Sequence, residues 1–147
     1  MSQLMLNIYL NFNGNCQEAF DFYSTVFESP LTHRQTYEQI PGASMVVPKS
    51  ERHKLIHIRL KVGEYTSLMG NDRPDSWPPV IFENSAYYIS INLDYDVDLA
   101  LKYFDRLAEG GKVILPFVDT FWGSRYGQVT DKFGVQWMIN CNTIKNN

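Results

Sequence analysis

Cysteine is scarce in this chain of 147 residues: Cys16 and Cys141 stand far apart and no CxxC occurs. That excludes a disulfide framework and a thiolate zinc motif, and leaves reduced thiols as the expectation. Positive charge is also scarce, with 13 Lys and Arg against 16 Asp and Glu and a formal net charge of -3. Non-specific nucleic-acid binding therefore lacks its electrostatic source. No apolar run approaches the roughly 18 residues of a membrane span, and the opening MSQLMLNIYL has no basic region followed by an apolar stretch and cleavage site. These absences predict a cytoplasmic protein with neither nucleic-acid nor membrane partners. What is plentiful is aromatic, 14% of residues, which suits a strand-rich chain with a concave or self-associating surface. A hydrophobic share of 44% can supply the core of a single domain spanning 1–147.

The hydrophobic pattern repeats. In LNIYLNF, Ile8, Leu10 and Phe12 fall on one face and Asn7, Tyr9 and Asn11 on the other, which predicts a half-buried strand. Asn13-Gly14-Asn15 then reads as a turn and helix cap. It leads into CQEAFDFYSTVF, where Ala19, Phe22, Tyr23, Val26 and Phe27 recur at helical spacing, and the aromatics including Phe20 read as core. At an offset of 81 residues YISINL alternates in the same way, with Tyr88, Ser90 and Asn92 on the polar face. VDLALKYFDRLAEGG follows as a second amphipathic helix stopping at Gly110-Gly111. Strand-like segments trail each helix: Leu31 to Gln39, Leu55 to Val62 and Tyr65 to Asn71, then Lys112 to Phe117, Arg125 to Asp131 and Val135 to Asn142. The reading is α+β, a duplicated β-α-β-β-β arrangement with modules at 4–71 and 86–142 and a proline-marked linker at 72–85. A second irregular stretch, Ile40 to His53, has the length of a lid or of a mobile loop.

Two such modules in about 150 residues resemble the vicinal oxygen chelate superfamily, the fold of glyoxalase I, extradiol dioxygenases and fosfomycin or bleomycin resistance proteins. NFNGNCQEAFDFY, LMGNDRP and above all TFWGSRYGQVTDKFGVQWMIN resemble its PhnB-like branch, also labelled 3-demethylubiquinone-9 3-methyltransferase-like. The resemblance implies a mixed sheet curled around a cavity, modules paired within one chain or across a homodimer, and a small-molecule ligand. Methyl transfer is not expected, since the chain lacks the Gly-rich turn and the large parallel sheet that S-adenosylmethionine binding usually uses.

Metal-dependent members of that superfamily take His and Glu ligands from the first and last strands of each module, which hold a divalent ion with positions open for vicinal substrate oxygens. The matching positions here are Asn7, Tyr88, Met138 and either Ser67 or Met69. Amide, phenol and thioether groups are poor holders of a hard divalent ion, so neither metal nor another cofactor is expected. The resemblance implies a ligand pocket shaped by Asn7, Tyr9, His57, Arg59, Tyr88, Ser90, Trp122, Arg125, Met138 and Asn140. An alternative is a divalent-metal lyase or dioxygenase with His57 and Glu38 as displaced ligands. A third is a purely structural interaction module.

Two further groups have double readings. Cys16 opens a helix, where the macrodipole favours thiolate and hence a nucleophile, although a small buried cysteine packing a helix start is the simpler role. Thr120-Phe121-Trp122-Gly123 before Arg125-Tyr126 offers aromatic walls and a cation for a flat or anionic molecule, or else a packed turn or dimer contact.

Overall fold

Alternation of apolar residues gives the first strand, β1 (Ile8–Phe12), and helical spacing gives α1 (Cys16–Phe27), which leads into β2 (Leu31–Thr36), β3 (Leu55–Val62) and β4 (Thr66–Asp72). The series repeats as β5 (Ile89–Asp94), α2 (Val97–Ala108), β6 (Lys112–Asp119), β7 (Ser124–Thr130) and β8 (Gln136–Asn142). The computed structural model describes residues 2–42 and 47–145. The middle of the Ile40 to His53 segment lies outside the described residues. Contacts divide the chain into two units, the first ending at Val80 and the second beginning at Ile81.

Each unit is one four-stranded mixed sheet, ordered β1-β4-β3-β2 in the first and β5-β8-β7-β6 in the second. First and last strands pair parallel, the others antiparallel. This is the duplicated β-α-β-β-β arrangement expected from the sequence, with each module forming one four-stranded mixed sheet that does not close. The register also settles the ambiguous last-strand position: Tyr9 lies opposite Met69 and Ser90 opposite Met138, so Met69, not Ser67, is the counterpart of Met138.

The stripe that α1 buries is Cys16, Ala19, Phe20, Tyr23 and Val26, while α2 buries Ala100, Phe104 and Leu107. Phe22 and Phe27, read as core, are only half-buried. Phe20 takes the central place because β4 offers it a glycine: a Cβ on Gly70 would stand 2.6 Å from its ring. Gly127 in β7 gives Phe104 the same room, at the same 2.6 Å.

A carboxylate locks the first unit. Asp72, 2% exposed, accepts the N–H groups of Gly14 at 3.1 Å and Cys16 at 2.9 Å on one oxygen and that of Leu55 at 2.9 Å on the other. It therefore caps α1 from another strand, and Asn15, at the cap position, makes no side-chain capping bond. In the second unit Asp96 caps α2 locally through Leu99 N–H. β2 ends at Thr36 rather than Gln39, because the Gln39 side chain accepts the Thr36 N–H and turns the chain into a short 3-10 helix. A positive φ at His33 also breaks the strand's register. β4 reaches Asp72, one residue into the expected linker. Residues beyond it are tied to the first unit by Arg73 N–H on Phe12, by both bonds between Asn13 and Val80, and by Lys54 between Glu51 and Asp75.

Asp72→Ala would leave three buried or half-buried donors without a partner and is expected to lower unfolding free energy by about 2–4 kcal/mol, against about 1 kcal/mol for Asp96→Ala. Denaturant titration with hydrogen exchange read in β3 and β4 checks both values.

Candidate functional site

In each unit the helix covers one face of the sheet and leaves a polar and aromatic face opposite. On the first sheet Tyr9, Met69 and Arg59 share one row across β1, β4 and β3, and Gln35 pairs with His57 in the next. The Tyr9 hydroxyl lies 3.1 Å from Nδ1 of His57. Asn7, just before β1, accepts the Ser67 N–H through its side-chain oxygen at 3.0 Å, and Ser67 Oγ accepts from Nε of Arg59 at 2.8 Å. All four residues expected here from the sequence, Asn7, Tyr9, His57 and Arg59, are thus joined in two short chains of contact. Asn71, opposite Asn11, adds a buried carbonyl oxygen that has no hydrogen-bond partner among the described residues.

Electrostatics on this face runs against charging its titratable groups. Burial, then coulombic repulsion from His33 and Arg59, pulls the His57 pKa below its ordinary value, so the ring is neutral at pH 7. Burial raises the Tyr9 hydroxyl, leaving a neutral phenol against a neutral imidazole.

On the second sheet Ser90, Met138 and Gln128 form one row and Asn92, Asn140 and Tyr126 the next. Gln128 donates to the Tyr126 hydroxyl at 2.8 Å, and that hydroxyl lies 3.8 Å from Sδ of Met138. Trp122, exposed, meets Tyr126 at 6.5 Å between ring centroids and Phe121 at 4.9 Å. Tyr88 is half-buried immediately before β5. Gln128 was missing from the expected set and Tyr126 entered it only beside Arg125, although alternation along β7 against the buried Val129 carries the signal for both.

Several expectations need correction. Arg125 does not join Met138, Asn140 and Ser90: it pairs in register with the buried Cys141, on the face that packs α2. There it bonds Asp119 at 3.1 Å and its guanidinium sits 6.0 Å from the centre of Phe117, which stacks on Phe104. Gln136, two residues before Met138 on β8, is buried and its amide nitrogen donates to Ser85 and Tyr87. Glu38 is exposed on the 3-10 helix, and among the described residues no three His, Cys, Asp or Glu side chains gather as metal ligands. The donor set of the superfamily positions, Asn7, Met69, Tyr88 and Met138, does not fit a hard divalent ion. Cys16 is no activated nucleophile, because burial, reinforced by the Asp72 carboxylate, pushes its thiol well above the ordinary value and outweighs the helix dipole. Cys141 is buried and raised as well, chiefly by burial.

Comparison with known proteins agrees with this geometry. The sequence model of the Glyoxalase/Bleomycin resistance protein/Dioxygenase superfamily matches residues 6–139. Protein YjdN of Escherichia coli K12 is 28% identical over 92% of this chain and 93% of its own length. The crystal structure of protein PA1353 from Pseudomonas aeruginosa superposes with a TM-score of 0.81 at 36% identity, covering 95% of this chain and 98% of that one. A putative 3-demethylubiquinone-9 3-methyltransferase, PhnB protein, from Bacillus cereus superposes at 0.73 with 19% identity, over 94% and 99% of the two chains.

Two measurements check the electrostatics. Neither cysteine is expected to react with a thiol-specific reagent in the folded protein at pH 8, with both reacting on unfolding. In an NMR titration His57 is expected to titrate below about 6.5, and Arg59→Gln to raise that value only partway, because burial, the larger cause, remains.

Proposed function

Because the chain belongs to the Glyoxalase/Bleomycin resistance protein/Dioxygenase superfamily, we propose that it is a small-molecule binding protein of the PhnB-like branch, working without a metal ion at the superfamily position. One observation carries the reading: amide, phenol and two thioethers stand where ligands are expected, while the adjoining sheet faces keep a polar and aromatic character. Such faces hold a ligand by shape, apolar contact and a few directed hydrogen bonds, which needs no ionised acid or base. The Tyr9 hydroxyl and the neutral His57 ring offer those bonds in the first unit. Tyr126, Met138 and Trp122 offer an aromatic and thioether wall in the second. The two free thiols suit a reducing cytoplasm, and the aromatic content suits a homodimer.

Native mass spectrometry of gently purified protein, paired with the denatured mass, tests this. The expected spectrum shows a dimer, no stoichiometric divalent ion, and a non-covalent small-molecule adduct that disappears on denaturation. A stoichiometric ion that is lost on Tyr88→Phe or Met138→Ala would overturn the proposal.

A further inference from the structure

At one end of the first unit the segment leading into β1 passes the turn between β3 and β4, and the two leave a cleft of about 650 Å³. That volume lies within the roughly 300–1,000 Å³ typical of small-molecule sites. Its walls are of two kinds. Leu4, Leu6 and Tyr65 are 87%, 84% and 77% exposed, so no described residue covers them. Arg59 and Lys61, two residues apart on β3 and therefore on one face of the sheet, line the same cleft, together with Glu64 at the turn.

We propose that this cleft binds an organic monocarboxylic acid, with Arg59 and Lys61 on the carboxylate and Leu4, Leu6 and Tyr65 along its apolar body. The inference rests on the binding-protein reading, since Arg59 belongs to the face described above, and it adds the chemical class of the ligand. Three observations carry it. Neither cation is engaged in an ion pair among the described residues, although Glu64 lines the same cleft. Arg59 is also held in place: Nε is committed to Ser67 Oγ at 2.8 Å and Ser67 N–H to Asn7 at 3.0 Å. The two terminal nitrogens of the guanidinium stay available as a planar fork, the geometry that matches a carboxylate. Finally, two cations against one carboxylate leave about one net positive charge in the cleft, enough for a monoanion and too little for a phosphate dianion. The depressed pKa of His57, to which Arg59 contributes, fits the positive charge of Arg59 acting on this face.

Octanoate is the probe, with 1-octanol and inorganic phosphate as controls, and the readout is the ¹H–¹⁵N NMR spectrum including the Arg59 Nε–H resonance. Octanoate is expected to give saturable shifts at Arg59 Nε–H and at the Thr66 and Ser67 amides. Arg59→Gln and the exposed Lys61→Gln should each weaken binding about tenfold, the scale of one charge-assisted hydrogen bond. Equal affinity for 1-octanol, displacement of octanoate by phosphate, no shifts at all, or unchanged binding in both variants overturns the assignment. If the native spectrum of the doubly substituted protein still carries its co-purifying ligand, the cleft assignment falls while the binding reading stands. A metal-dependent spectrum would instead remove the reading on which the assignment rests.

Discussion

Parallel pairing of the first and last strands is the constraint on which each unit depends. Two parallel neighbours require a crossover, and here the crossover from β1 back into the sheet is a helix and two further strands. One helix of 12 residues covers only one face of a four-stranded sheet. The sequence answers with strict alternation: Leu10, Ile58, Leu60 and Leu68 go under α1, while Tyr9, His57, Arg59 and Met69 go to the other side. A face that carries an arginine, a histidine and a tyrosine in adjoining rows is not built as core, because burying those groups dry would cost more than their mutual contacts return. The same logic repeats in the second unit with Ser90, Asn92, Tyr126 and Gln128.

The two units share a strand plan but not their polar locks. At the position where β4 carries Asp72, β8 carries Cys141, since Phe12 pairs with Asp72 and Leu93 with Cys141. The second unit moves its buried carboxylate to Asp131, which accepts the N–H groups of Phe133 and Val135 and the indole N–H of Trp137. Each carboxylate satisfies three N–H donors, Asp72 those of distant Gly14, Cys16 and Leu55 and Asp131 two from its own turn and one from the Trp137 indole. The duplication therefore preserves hydrophobic period and strand pairing, which many residues enforce together, and not a capping contact that a single side chain can supply from several places.

This difference also sets what was legible in the sequence. α1 and β3 were readable to the residue, because twelve and eight residues of consistent period outvote any local exception. The end of β2 was not, because one Gln39 side chain decides it. Which aromatic of α1 lies at the centre of the core depended on Gly70, 50 positions away in sequence and invisible to helical periodicity alone. The Asn7, Tyr9, His57 and Arg59 group followed from alternation, whereas Arg125 was misplaced by being read together with its neighbour Tyr126. Successive residues of a strand point to opposite faces, and the register to Cys141 places Arg125 beside the helix. For Cys16 the simpler of its two readings, a small buried cysteine packing the helix start, is the one the fold bears out, and the burial and the carboxylate that oppose a thiolate are visible only there.

Replacing hard ligands by thioethers changes what such a face can discriminate. A divalent ion selects ligands by vicinal oxygens and pays little attention to the rest of the molecule, because its charge dominates the interaction. Met69 and Met138 occupy matching register positions and contribute soft, adaptable apolar surface in place of charge. On the proposed reading, selection passes in each unit to the groups around them, to Tyr9, His57 and the fixed guanidinium of Arg59 in the first and to Tyr126 in the second. On the proposed reading, a scaffold without a metal donor set keeps chemistry on its sheet faces, with recognition spread over several weaker groups whose geometry the sheet register enforces.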